Sequence, residues 1–134
     1  MGRIYKIVFV ALIVCTACST TSDASRKEWL RRLSDIIHSR VETREANQQN
    51  SRTVEQALDE EALKNMMRFE VKRALGPGNS CGQHPKCQEL GFQSDDLYYT
   101  VGEGNEAQIG KRPMLIVGFD HEGNVIRVWN LRIH

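Results

Sequence analysis

The sequence predicts an α+β fold, with two or three helices packed on a three-stranded antiparallel β-meander. Apolar residues recur at helical spacing through residues 25–75, and three short β-branched and aromatic runs follow in residues 97–131. Short polar loops separate these runs, and short loops join antiparallel neighbours. A helical half followed by a strand half is typical of α+β domains.

The N-terminus has the layout of a bacterial signal peptide. Arg3 and Lys6 precede an uninterrupted apolar stretch from Ile7 to Val14, and small residues lead up to Cys18. The segment Ile7–Ala17 is 11 residues long, which is about 16 Å as a helix, whereas a hydrocarbon core is about 30 Å thick. A transmembrane anchor is therefore the weaker interpretation.

Cys18 is the predicted lipidation site. The residues before it resemble a lipobox, so residues 1–17 would be removed as a lipoprotein signal peptide and residues 18–24 would form a lipidated tether. Cys15 is the rival site, although a bulky valine precedes it. Ser19 follows Cys18 in place of aspartate, which favours the outer membrane with the domain facing the periplasm. An ordinary secretory peptide is the alternative.

The charge balance disfavours nucleic acid as a partner. The chain carries 18 basic and 17 acidic residues. Removal of residues 1–17 would take away Arg3 and Lys6 and leave 16 basic against 17 acidic residues, a net charge of −1. Nucleic-acid-binding domains usually show a basic excess. The remaining 117 residues suffice for one modest domain.

A first, amphipathic helix with a following loop is predicted over residues 25–52. Ser25 to Glu28 matches a capping box, the preceding Ser19–Ala24 indicates a flexible linker, and Ala46–Arg52 lacks an apolar period. The apolar stripe indicates a helix docked on its own domain. A partner-binding or membrane-surface helix is the alternative, because four basic residues lie near the tether and could meet anionic head groups: Arg26, Lys27, Arg31 and Arg32.

A second helical segment is predicted from Thr53 to Leu75. Thr53 to Gln56 forms another capping box, and apolar residues recur at helical spacing as far as Leu75. Asn65 indicates an interruption that would give three helices instead of two. The sequence Gly76-Pro77-Gly78 ends the segment, because glycine supplies a left-handed cap and proline cannot continue a helix.

Cys81 and Cys87 enclose a turn-rich loop, and we predict a disulfide between them, as an oxidising periplasm favours. Closure of this seven-residue loop contributes about 2 kcal/mol by the chain-entropy argument. The competing hypothesis is a metal site formed with His84. C-x5-C is not a standard zinc spacing and the site would supply three ligands only, so we expect no metal or cofactor.

Three strands are predicted: Leu97–Val101, Met114–Phe119 and Val125–Leu131. The second is a nearly continuous apolar run, as expected of a central strand covered on both faces. The polar segment Gly102–Arg112 reads as a hairpin loop and Asp120–Asn124 as a tight turn. The aromatic residues of these strands are candidate interaction residues, with core packing as the alternative: Tyr98, Tyr99, Phe119 and Trp129.

These residues resemble the SmpA/OmlA (BamE-like) family of outer-membrane lipoproteins over residues 53–134. The family helix motif runs approximately G-M-T-x-x-Q-V-x-x-x-L-G-x-P, and its family signature V-x-F-D-x-x-G-x-V spans the last hairpin. The helix motif is matched at Met66, Val71, Leu75 and Gly76. The hairpin signature is matched in full at Val117, Phe119, Asp120, Gly123 and Val125. The chain departs from the helix motif at Asn65, Met67, Glu70 and Pro77.

The resemblance implies an ααβββ domain that acts without catalysis, as a protein-interaction scaffold in envelope or β-barrel assembly. Membrane contact would come through lipid on Cys18, and the partners would be envelope proteins. The alternative is a periplasmic binding or inhibitory module that uses the disulfide loop and Gly102–Arg112 as contacts. The sequence has no Ser-His-Asp order, no H-E-x-x-H and no phosphate-binding loop, so we expect neither catalysis nor a small-molecule substrate.

Overall fold

The computed structural model describes the backbone of residues 17–131 and the side chains of residues 23–131. The helices are α1 Ala17–His38, α2 Arg44–Asp59, α3 Arg68–Leu75, α4 Pro85–Glu89 and α5 Glu106–Ile109. The strands are β1 Asn79–Ser80, β2 Leu97–Thr100, β3 Met114–Phe119 and β4 Val125–Asn130. The strands form one antiparallel sheet in the order β1-β2-β3-β4. This arrangement confirms the predicted α+β class and adds a fourth strand of two residues.

The start of the first helix differs from the prediction. Helix α1 begins at Ala17, so the expectation of a flexible segment at Ser19–Ala24 and a helix start at Ser25 is wrong. Serine, threonine and aspartate cost only a few tenths of a kcal/mol each relative to alanine inside a helix, and extending a formed helix needs no new nucleus. No helix within residues 17–131 is long and apolar enough to cross a membrane.

The end of α1 is set by contacts with a distant segment. Three backbone hydrogen bonds join residues 37–41 to residues 102–103: Gly102 N to Ile37 O at 3.1 Å, Glu103 N to Ser39 O at 2.9 Å, and Val41 N to Glu103 O at 2.7 Å. These bonds satisfy backbone groups that the end of a helix leaves unpaired. The first helix therefore ends at His38, well before the segment Ala46–Arg52 where its apolar period was expected to stop.

The predicted loop at Ala46–Arg52 is part of α2. The helix begins after Thr43, whose hydroxyl oxygen accepts from Ala46 N at 3.1 Å. Thr53, the predicted cap, lies inside α2 and its hydroxyl donates to Gln49 O at 3.0 Å. A threonine does cap the N-terminus of α2, as predicted, but the capping residue is Thr43, ten residues before Thr53.

Asn47 explains why this polar stretch is helical. Its side chain is 1% exposed, and its amide nitrogen donates to Ile109 O at 3.2 Å and to Lys111 O at 2.9 Å. These two hydrogen bonds compensate the amide nitrogen for the loss of water, whereas its Oδ1 atom has no hydrogen-bond partner among the described residues. The residue therefore fastens the loop before β3 to α2.

The later boundaries follow the prediction. Asn65 has a positive φ of 60° and separates α2 from α3, so the interruption into separate helices is confirmed. Gly76 ends α3 with φ 94°, and its N–H donates to Lys72 O at 2.9 Å. A positive φ favours glycine because it has no Cβ.

Two apolar clusters enclose the sheet. The helix-side cluster contains Leu33 and Ile37 of α1, Val54 of α2 and Val71 of α3, packed on Val117. The opposite face carries the second cluster, formed by the disulfide loop against β3: Cys81, Cys87, Phe92, Met114 and Ile116. All six residues of β3 are buried, which confirms a central strand covered on both faces.

The β3–β4 turn is held by Asp120. One carboxylate oxygen accepts from the backbone N–H of Asn124 at 2.8 Å and of Glu122 at 2.9 Å. These hydrogen bonds, led by the one from Asn124, lower the pKa of Asp120. Gly123 has φ 85°, and the Asp and Gly of the hairpin signature therefore have defined roles in forming the turn.

Candidate functional site

The predicted anchor lies at the beginning of α1. Cys18 belongs to the first turn of this helix, while its side chain and Cys15 fall outside the part of the chain that the structure describes. Leu33 and Ile37, farther along the same helix, are 0% and 7% exposed. One continuous helix therefore joins Cys18 to the core, over about 22 Å between Cys18 and Leu33 at 1.5 Å per residue.

The apolar stripe of α1 docks on the domain. Trp29, Leu30 and Ile36 are partly buried beside the fully buried residues of the helix. The predicted docking is confirmed, and it removes the apolar face that a membrane-surface helix would need.

Three of the four basic residues near the start of α1 are engaged within the chain. Arg31 and Arg32 both bind Glu28, at 2.7 and 3.1 Å, and Arg26 donates to Lys64 O at 3.1 Å. The hydrogen bonds from Arg31 and then Arg32 lower the pKa of Glu28 to about 2. These three arginine side chains therefore have partners within the protein and are less available to anionic head groups.

Two of the four candidate aromatic residues lie in the core. Tyr99 is 3% exposed and Phe119 is 4% exposed. The Tyr99 hydroxyl donates to Gly76 O at 2.8 Å, and burial raises the pKa of this phenol to about 12. Neither residue offers a contact surface in this conformation, so their assignment as interaction residues is corrected to core packing.

The other two aromatic residues lie on the opposite face of the sheet and are half-buried. The Tyr98 ring lies 4.5 Å from the ring of His84, and Lys86 Nζ lies 5.4 Å from the centre of a Trp129 ring. Both residues therefore pack against the apolar cluster that contains the disulfide.

The sulfur atoms of Cys81 and Cys87 are 2.21 Å apart and form a disulfide, as predicted. Their bonding removes both thiolates from the competing metal hypothesis. The Nδ1 atom of His84 accepts from Lys86 N at 3.2 Å, so that histidine caps α4. No group of three or more potential metal ligands occurs among the described residues.

A cleft of about 520 Å³ lies between the disulfide loop and the segment 102–112. Its charged lining includes Lys86, paired with Glu89 at 3.3 Å, and Arg112, paired with Glu106 at 3.3 Å. Lys111 also lines it and has no ion-pair partner within the described chain. The volume falls in the range of small-ligand sites. The two loops predicted as adaptable contacts therefore face one concavity.

The outer edge of β4 is the second open surface. The first residue of this strand is covered, because Val125 N donates to Met66 O at 2.9 Å. Beyond it, no described strand pairs with the outer side of β4. A groove of about 360 Å³ runs between this edge and the end of α2, and Ile126 in its lining is 67% exposed. One sequence feature indicates this edge, since the adjacent apolar residues Val125 and Ile126 break the alternation of a half-buried strand.

No known protein family, no curated protein and no solved structure matches the chain. The resemblance to the SmpA/OmlA family therefore stays a prediction.

Proposed function

We propose that the chain is an outer-membrane lipoprotein, anchored through Cys18, whose periplasmic domain binds envelope proteins without catalysing a reaction. The family resemblance implies a more specific role, in which the protein supports β-barrel assembly or envelope integrity. The lipid anchor would hold the domain at the inner surface of the outer membrane, and the partners would be proteins that work there.

The observation that carries the proposal is the continuous helix between Cys18 and the core. Residues 19–24 are helical and rise only about 9 Å, against about 20 Å for an extended tether of the same length. The helix continues without interruption to the buried Leu33 and Ile37. An anchor at Cys18 would therefore hold the domain close to the bilayer, which suits a local scaffold.

The test is capture of partners from membranes solubilised with mild detergent. We expect the wild-type chain to co-purify with envelope proteins, among them components of the barrel-assembly machinery. The matched variant is Cys18→Ala, which keeps the domain and lacks the thiol that would carry lipid. The proposal would be refuted if the wild-type protein purified without any envelope protein under conditions that preserve the assembly machinery.

The cleft between the disulfide loop and residues 102–112 favours a second candidate function, a periplasmic binding or inhibitory module. Both walls are tied down, one by the disulfide and the other by the bonds of Asn47 to Ile109 and Lys111. Preorganised loops lose little entropy on binding. Under this candidate, Lys111→Glu abolishes inhibition or binding of the target, while Lys72→Glu, at an exposed residue of α3 outside the cleft, leaves it intact.

A further inference from the structure

Three large apolar side chains are exposed among residues 23–131, and they lie on two adjoining segments. Met67 is 37% exposed, Phe69 is 54% exposed and Ile126 is 67% exposed. Two backbone hydrogen bonds, of 2.8 and 2.9 Å, hold residues 66–68 beside residues 123–125. We call the three side chains together the apolar patch.

The apolar patch lies at the end of the domain where α1 begins. Arg26 of α1 donates to Lys64 O at 3.1 Å. At the other end of this helix His38 borders Gly76, where an added Cβ would lie 3.1 Å from the Nε2 atom of His38. Helix α1 and residues 64–76 therefore run in the same direction, and the start of α3, with the apolar patch, lies on the side of the proposed anchor.

The anchor position is close to the level of the apolar patch. Cys18 precedes Arg26 by eight residues of continuous helix, which is about 12 Å along the axis. The head-group layer is about 6 Å thick on each side of the hydrocarbon core. A tilt of α1 toward the plane of the bilayer therefore brings the apolar patch to the head groups.

The charges around the apolar patch are mixed in sign. The neighbouring ionisable residues of α3 and of the β3–β4 turn are three basic and three acidic groups: Arg68, Lys72 and Arg73, and Glu70, Asp120 and Glu122. Such a balance selects neither a basic nor an acidic ligand. Apolar area therefore decides what this surface binds.

The size of the apolar patch argues against a protein as its occupant. At about 200 Å² for a large side chain, the exposed fractions amount to about 300 Å². A stable protein interface buries about 800 Å² on each partner, so the apolar patch alone is too small for a second copy. A bilayer that is already held nearby by a covalent anchor needs less area, because the second contact is intramolecular.

We propose that the apolar patch rests on the surface of the bilayer, where Met67, Phe69 and Ile126 enter the head-group region beside the lipid on Cys18. The contact does not depend on the charge of the head groups. This inference rests on the lipid anchor proposed above and adds the orientation that the anchored domain takes.

The orientation leaves the cleft between the disulfide loop and residues 102–112 open to the periplasm. Thr100, Met114 and Leu131 line this cleft. They lie at the ends of β2, β3 and β4 that are opposite the β3–β4 turn. The sheet therefore separates the membrane-bound end of the domain from the end that receives partners.

The test is quenching of tryptophan fluorescence by brominated lipid. The lipidated full chain carrying Phe69→Trp is purified from membranes and reconstituted in phosphatidylcholine vesicles, with or without bromine near the head-group end of an acyl chain. The matched control is Asn79→Trp, at an exposed residue beside His38 at the other end of the domain. The emission of the wild-type chain, which contains Trp29 and Trp129, is subtracted from each, and circular dichroism verifies folding.

We expect bromine to quench Phe69→Trp at least twofold more than Asn79→Trp. The difference should persist at about 1 M salt, which screens charges beyond about 3 Å. Equal quenching of the two variants overturns the inference, and so does a difference that disappears at high salt. A tryptophan at position 69 that is shielded from bromine in a chain that light scattering shows to be dimeric would assign the apolar patch to a second copy and also overturn it.

A second substitution tests the apolar contact itself. Ile126→Glu, added to the Phe69→Trp chain, should lower its quenching at least twofold, whereas Lys111→Glu, in the distant cleft, should leave it unchanged. Unchanged quenching with Ile126→Glu overturns the inference. A chain that fails to float with the vesicles refutes the anchor and this orientation together, whereas a chain that floats with equal quenching of the two tryptophan variants refutes the orientation alone.

Discussion

Reduction of the Cys81–Cys87 disulfide should lower stability by an amount set mainly by loop closure. The two residues are separated by 6 positions, so the bond closes a seven-residue loop. The chain-entropy relation gives about 2.4 kcal/mol at 25 °C for such a loop. An unfolding entropy of about 2.1 cal/mol/K per residue converts this loss, for a domain of this size, into a Tm decrease of about 10 °C.

The assay compares refolded samples, because both cysteines are at most 1% exposed and a reductant reaches them only in the unfolded chain. The protein is unfolded in guanidinium chloride, refolded with or without reductant, and melted by circular dichroism, with mass spectrometry to verify the redox state. The Cys81→Ala, Cys87→Ala double variant is the control and should show the same Tm in both samples. A decrease of less than about 2 °C in the wild-type protein would refute the reasoning.

Three further predictions concern contacts inside the domain. Asn47→Ala removes both bonds to the loop before β3 and should cost about 2 kcal/mol in urea unfolding; an unchanged midpoint would contradict the role of this amide. Gly102→Ala should cost about 1 to 3 kcal/mol, because φ is 84° and the new Cβ would lie 2.6 Å from Val41 Cγ2, and a neutral result by thermal melting would contradict the close approach. Burial raises the pKa of Tyr99 to about 12 in the folded state, against about 10 in the unfolded chain. The contribution of the neutral phenol to the free energy of unfolding is therefore complete below pH 10 and is lost as pH rises toward 12. Wild-type protein should therefore lose more stability over that range than Tyr99→Phe does, and parallel pH profiles would show that the phenol titrates alike in both states.

The elements that the sequence predicted correctly are those whose signals are local. Each of the three main strands is an apolar or β-branched run bounded by turn residues, and each predicted bound lies within one residue of the observed one. The Gly76 cap and the Asn65 interruption depend on the conformation of one residue. The disulfide depends on two cysteines six positions apart. Such features need no knowledge of the rest of the fold.

The errors arose where a distant contact determines the local structure. The break after α1 is held by residues 102–103, more than 60 positions away, and Asn47 is buried because it bonds carbonyls at separations of 62 and 64 residues. A periodicity analysis interprets a polar residue as exposed, so it could not find a helix face built on a buried amide. The sequence could not decide whether Tyr99 and Phe119 are buried, because an aromatic residue in a strand fits a contact surface and core packing equally well.

The most direct test of the central claim is intact-mass and peptide mass spectrometry of the protein purified from membranes of a bacterium that expresses it. Lipoprotein anchoring predicts a mature chain that begins at Cys18, carries acyl chains on that residue and partitions with the outer membrane, while Cys18→Ala protein lacks the lipid and loses this partitioning. A mature chain with an unmodified Cys18, or a chain cleaved elsewhere and released from the membrane, would contradict it.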